Sequence, residues 1–200
     1  MPNIHKLTVP RRIPQIRQTG KRHFISWLEG GMQTVVTPAV KSFAAQFKGA
    51  KMDLVRAIVD GVAKFEKVKI TMREAKEVYA KRTASEIIET HTVGVFEFGK
   101  LKSYGCVDSA LAIIAALRAK GIEAIFVRDK THAYALAKVG PGKMVRIDPY
   151  PDDILINSVS AETVQRLQGA VDNGIAAVGR DAWDVGLNSL HEFNKYAKAR

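Results

Sequence analysis

The sequence predicts an α+β domain in which helices pack on a small antiparallel sheet. Three observations carry this expectation. Apolar residues recur at helical spacing over positions 40–65 and 106–117, and three strand-like runs joined by very short links follow over positions 122–148. The chain of 200 residues is also 46% apolar, enough to bury about 70% of its unfolded surface without disulfides or a structural metal.

The N-terminal stretch stands apart. Residues 1–25 contain Lys6, Arg11, Arg12, Arg17, Lys21 and Arg22, no acid, and Pro2, Pro10 and Pro14. They show neither helical nor alternating periodicity, so the expected organisation is a basic, proline-containing arm over 1–30. A single domain with a C-terminal helical segment is expected over 31–200. Phe24, Ile25, Trp27 and Leu28, closed by Gly30-Gly31, read as the cluster that packs the arm onto the domain; lining a ligand groove is the alternative for Trp27.

After Pro38, Val40, Phe43, Ala44 and Phe47 mark one amphipathic helix with Gly49 as its stop. Leu54, Ile58, Val62 and Phe65 mark a second, with Asp53 in its first turn. Ala75, Val78 and Tyr79 suggest further helix, and Thr83 with Glu86 has the spacing of a capping box ahead of Ile87 and Ile88. Positions 92–98 read as a strand or extended loop, and Gly99, Ser103 and Gly105 as a loop. The next helix begins near Cys106, carries Asp108 and Ser109 in its first turn, and contains the longest apolar run, Ala110 to Leu117. Arg118 and Lys120 suit its last turn and Gly121 its left-handed stop. Apolar on most of its circumference, it is expected to be central and buried.

The three runs 122–128, 132–139 and 143–148 are linked by Asp129-Lys130-Thr131 and by Gly140-Pro141-Gly142. Links this short force antiparallel neighbours, because a parallel pair needs a crossover of a dozen or more residues. Beyond Pro149 and Pro151 the pattern returns to helix through Val164, Leu167, Val171 and Ile175, and ends in a mixed segment over 183–196. Asp181, Asp184, His191 and Glu192 read most simply as a solvated helical face.

This order places Cys106 at the start of a buried helix, His132 at the start of a strand and Asp148 at the end of the adjoining strand. A thiol nucleophile is favoured by such placements. A helix N-terminus presents about half a positive charge, an imidazole can hold the thiol proton, and a carboxylate can orient that imidazole. Taken singly, each residue has an ordinary reading: an inert buried thiol, a surface histidine, and an aspartate forming a turn before proline. Asp108 works against the thiolate, since an acid two residues on raises the thiol's affinity for its proton. A metal site built from the same three residues is disfavoured, because there is no Cys-x-x-Cys pair and no fourth ligand at metal spacing.

Gly105-Cys106-Val107-Asp108 opening the apolar helix, then Gly121-Ile122, Thr131-His132-Ala133-Tyr134 and Arg146-Ile147-Asp148-Pro149, together resemble the transglutaminase-like core, a superfamily of papain-like architecture. The resemblance is closest over 83–150, and the helical stretch 40–70 suits the helices that precede the cysteine in such domains. It implies a Cys-His-Asp triad of Cys106 as nucleophile, His132 as general base and later acid, and Asp148 as orienter, acting on a protein or peptide amide through a thioester without a cofactor. Water would give hydrolysis and an amine would give acyl transfer. The backbone N–H of Cys106 would meet the oxyanion together with one further donor. Tyr134, two positions after the histidine where many members carry Trp, is the candidate to pack beneath the site or contact substrate. Nothing resembles the β-sandwich domains or calcium sites of animal transglutaminases. Some transglutaminase-like domains that lack the triad act as DNA-repair scaffolds, so a binding module is the competing class.

Composition narrows the remaining choices. The single cysteine excludes an intramolecular disulfide and fits a reducing cytoplasm. No apolar run approaches the eighteen or so residues of a membrane span, and no secretory signal opens the chain. The net charge is +11, yet with the six basic residues of the arm set aside, 25 Lys/Arg against 20 Asp/Glu leave only +5 on the remainder. The excess lies in the arm, which reads most simply as a solvated or loosely docked terminus and otherwise as the place where nucleic acid or an acidic partner would bind. If it does, polyanion binding falls steeply with added salt and disappears on deletion of residues 1–25, while Cys106→Ala leaves it unchanged; titration of a labelled oligonucleotide at several salt concentrations checks this.

Overall fold

A computed structural model describes residues 27–71, 73–74, 81–98, 101–103, 105–129, 132–149 and 154–187. The arm over 1–26, the expected helical residues Ala75, Val78 and Tyr79, and the tail over 188–200 lie outside the described residues. The elements in chain order are α1 (Pro38–Ala45), α2 (Lys51–Ala63), β1 (Glu66–Lys69), α3 (Ala84–Thr90), β2 (Thr92–Phe98) and β3 (Leu101–Ser103). They continue with α4 (Cys106–Ala119), β4 (Ala124–Arg128), β5 (Ala133–Gly140), β6 (Lys143–Pro149), β7 (Ile154–Val159), α5 (Ala161–Asp172) and β8 (Ala177–Gly179). The architecture is α+β, with helices layered on an antiparallel sheet and Cys106 opening the central helix, as the sequence predicts.

The main sheet has five strands in the order β7-β6-β5-β4-β8, each antiparallel to its neighbours. A second, three-stranded sheet pairs β1 parallel to β2 and β2 antiparallel to β3. The alternation of strand residues sorts the main sheet's two faces. Ala124, Phe126, Ala133, Ala135, Ala137, Val145 and Ile147 join the larger core with α1–α4, whereas Ile125, Val127, Tyr134, Leu136, Met144 and Val178 join Trp27, Val164 and Val171 in a smaller core on the other side. The alanines of β5 leave room for α4 to approach closely. Every α4 residue from Cys106 to Arg118 is buried, so neighbours fix this helix on all sides.

Local chemistry accounts for the ends of the elements. Thr37 caps α1 through Val40 N–H with Pro38 at its first position. Thr83 and Glu86 form the reciprocal capping box that starts α3. Gly121 carries a φ of 70° just past α4, the left-handed stop that glycine accommodates best.

Several expectations are corrected. In α2 the buried stripe is Val55, Ile58, Val59 and Val62, with Leu54 half-buried. Strands β1, β3 and β7 occupy stretches read as helix end, loop and helix approach, and β8 lies between the helical stripe and the mixed segment, where no element was expected. Each is short or exposed, so pairing partners rather than periodicity define it; β1, for example, is exposed at all four residues. Ile175 is exposed beyond the end of α5 rather than continuing its stripe. Leu28 is likewise exposed, while Trp27 is buried, with the ammonium of Lys138 4.4 Å from its ring centroid.

Asp181 is not solvated. It is fully buried, accepting hydrogen bonds from the backbone N–H groups of Gln33, Trp183 and Asp184. Its charge acts on the buried Arg118, whose guanidinium donates to the carbonyls of Trp27, Ala124 and Arg180 and to the Thr34 hydroxyl. Burial lowers the Arg118 pKa to about 10 against the pull of Asp181. This cluster fastens the C-terminal end of α4 to segments near both ends of the described chain. Asp181→Ala is therefore expected to cost about 3–5 kcal/mol, because it strands three amides and a buried cation; the shift in denaturant midpoint measures it.

Candidate active site

The site is assembled at the N-terminus of α4. Gly105 precedes it with a φ of 80°, and a Cβ there would come within 3.0 Å of the Val93 side chain on β2. Glycine is thus required twice, for its backbone angle and for close approach. No side chain caps α4 among the described residues, so its first N–H groups point beyond the helix at the start of the Cys106 turn.

His132 stands immediately before β5, held there by its own N–H donating to Asp129 Oδ1 at 2.7 Å. Asp148 lies near the end of β6. Pairing of Asp148 with Leu155 and of Pro149 with Ile154 on β7 fixes that end of the strand. These placements bring the three residues together: His132 Nε2 lies 3.2 Å from Asp148 Oδ1, an ion-pair distance, and the same ring interacts with Cys106. All three are largely buried, Cys106 being 4% exposed and Asp148 3%.

The electrostatics follow from these contacts. Burial on its own would lower the His132 pKa, but hydrogen bonds and charge interactions with Asp148 and Cys106 outweigh it and raise it to about 9. For Asp148, burial pushes upward, yet His132 and Arg146 together hold the carboxyl below its ordinary value. Tyr134 is buried, with its ring 6.1 Å from that of His132, and burial raises its hydroxyl to about 12. Its ring stacks with that of His132.

Asp108 is fully buried and points to β2 and Arg82. Its Oδ2 accepts from Arg82 Nη1 at 2.9 Å and from Gly94 N–H at 2.9 Å, while Oδ1 has no hydrogen-bond partner among the described residues. Burial raises its pKa in opposition to Arg82. Pairing with Arg82 weakens the negative field that Asp108 exerts on the nearby thiol. Arg82 also donates to Thr90 Oγ1, Thr92 O and Thr92 Oγ1, tying α3 and β2 to α4.

Two neighbours escaped the sequence reading. Arg82 is 26 positions from Asp108 and has no motif to announce it. Arg146 had a signal, because residues two apart on a strand share a face, and it stands two before Asp148. Among the described residues no group of three or more His, Cys, Asp or Glu is arranged to hold a metal ion, and no helix is long and apolar enough to cross a membrane.

No protein-family model and no curated protein matches the chain. Among solved structures, the chain is similar to a crystal structure of a putative cysteine protease from Cytophaga hutchinsonii, at 20% identity and a TM-score of 0.49. The match covers 80% of this chain and 48% of the other, so the chain spans about half the length of that protein.

The raised His132 pKa is linked to stability. Because folding raises it from 6.5 to about 9, its stabilising contribution is complete below about pH 6.5 and is lost as pH rises through about 9. The stability gap between the wild-type chain and His132→Ala should therefore be widest at mildly acidic pH and close above pH 9, as denaturant melts across that range would register.

Proposed function

We propose that the protein is a cysteine-dependent amide hydrolase or acyl transferase with a transglutaminase-like core. The observation that carries this reading is His132 standing between Cys106 and Asp148 at the N-terminus of a buried helix. With Nε2 turned to Asp148, the ring's Nδ1 serves the thiol. A histidine held protonated beside a thiol is the partner a thiolate needs, and the helix N-terminus favours the same charge state.

In this reaction Cys106 Sγ attacks the carbonyl carbon of a peptide or protein amide, forming a C–S bond and an oxyanion. Backbone N–H groups at the start of α4, that of Cys106 among them, stabilise the oxyanion. As the C–N bond breaks, His132 transfers its proton to the departing nitrogen and an acyl-thioester remains. Water or an amine then attacks the thioester and gives a proton to His132. The C–S bond breaks, releasing an acid or a new amide and restoring the thiolate with imidazolium. Asp148 keeps the imidazole oriented and stabilises its charged form throughout. Burial of the site keeps bulk water from competing for these charges.

An amide-mimicking electrophile should label Cys106 rapidly below pH 8.5, the ordinary thiol pKa, as read by intact-protein mass spectrometry. His132→Ala should displace the labelling curve to higher pH and Asp148→Ala should do so to a smaller extent. A thiol that reacts only after unfolding would contradict the proposal. With a cleavable amide in hand, Cys106→Ala is expected to lower turnover by about 10³-fold or more.

A further inference from the structure

Arg146 joins three observations around the Asp148 carboxylate. Its Nε donates to Asp148 Oδ2 at 2.7 Å, within the range of a strong charge-assisted bond, whereas the His132 contact to Oδ1 is longer at 3.2 Å. Its guanidinium carbon lies 3.8 Å from the centroid of the Tyr134 ring, and that ring in turn stacks with His132. Arg146 and Asp148 project from the same face of β6, the face away from α4, so the guanidinium reaches the carboxylate from behind rather than from the thiol side.

A carboxylate held by one partner can rotate about its Cβ–Cγ bond and present either oxygen, or an edge, to the imidazole. Arg146 removes that freedom. Its guanidinium lies against the Tyr134 ring and bonds Asp148, and a planar guanidinium is better suited to such a place than a flexible ammonium. The titratable groups acting on it are Asp148, Tyr134 and Asp129, while His132 meets the other oxygen of Asp148 and interacts in turn with Cys106.

We propose that Arg146 is a positioning residue of the Cys106-His132-Asp148 site: it fixes Asp148 by Oδ2, so that Oδ1 is held toward His132 and the imidazolium that partners the thiolate is secured. The inference rests on the functional reading above and adds a fourth residue to it. Loss of Arg146 frees the carboxylate and also removes the cation that keeps it ionised. Both effects weaken the hold on protonated His132 and raise the pH at which the Cys106 thiolate forms.

The test is the pH dependence of Cys106 alkylation by iodoacetamide in the full chain, compared among wild type, Arg146→Met and Arg146→Lys. Arg146→Met keeps an apolar stem over Tyr134 and is expected to move the low-pH midpoint upward by about one unit, equivalent to about tenfold slower labelling below the midpoint. Arg146→Lys should recover part of the shift, since it restores the charge without the planar edge. A merely structural role would lower the melting temperature and leave the midpoint in place. If the Met variant does not fold, Arg146→Gln, which keeps one donor for Oδ2, is read instead and should shift the midpoint in the same direction by less. A wild-type midpoint in a folded Met or Gln variant, or one displaced downward, overturns the inference alone. A midpoint at or above about 8.5 in the wild-type protein overturns the functional reading, and this inference with it.

Discussion

A helix buried on every side is the constraint on which the rest of this structure depends. Cys106 to Arg118 of α4 all lie in the interior, so α1, α2 and α3 must cover one side and the alanine-faced sheet the other. The two ends of such a helix cannot be left to solvent, and each is closed by a charged cluster. At the C-terminal end Arg118 gathers backbone carbonyls, with Asp181 balancing its charge. At the N-terminal end Asp108 turns to Arg82 and Gly94, and this leaves the start of the first turn to Cys106. Burial that stabilises the fold thus also fixes the position and charge environment of the thiol.

The sheet supplies the other half of the site by its edges rather than by its centre. His132 enters β5 with its N–H held by Asp129, and Asp148 leaves β6 where β7 still pairs with it. The alternation that sends Ala133, Ala135 and Ala137 toward α4 sends Tyr134 and Leu136 to the opposite face, where Trp27 and α5 cover them. Arg146 and Asp148 belong to that second face. The site therefore straddles the end of the sheet: its thiol comes from one layer, its carboxylate is held from the other, and His132 spans the gap between them.

What the sequence disclosed follows from which forces act locally. The central helix was legible because an unbroken apolar run bounded by Gly105 and Gly121 admits few other structures. The β4-β5-β6 meander was legible because its links are too short for anything but antiparallel neighbours, and the meeting of Cys106, His132 and Asp148 follows from that order. Thr83 and Glu86 announced α3 because capping is a contact between near neighbours. The missed features depend on distant partners. β7 and β8 exist because β6 and β4 offer them edges, and the pattern of β7 alone does not separate strand from loop. Asp181 looked solvated because the Gln33 amide and Arg118 that surround it are far away in the chain, and Arg82 gave no hint of Asp108 for the same reason.

At the centre of this reading is one charge state: a Cys106 thiolate paired with a His132 imidazolium near neutral pH. The ultraviolet absorbance of the thiolate, followed as a function of pH and corrected with Cys106→Ser, tests it most directly. The structure predicts a thiolate that forms well below pH 8.5 in the wild-type protein and moves to about 8.5 or higher when His132 is replaced by Ala. A wild-type thiol that titrates at or above 8.5, unmoved by His132→Ala, would contradict it.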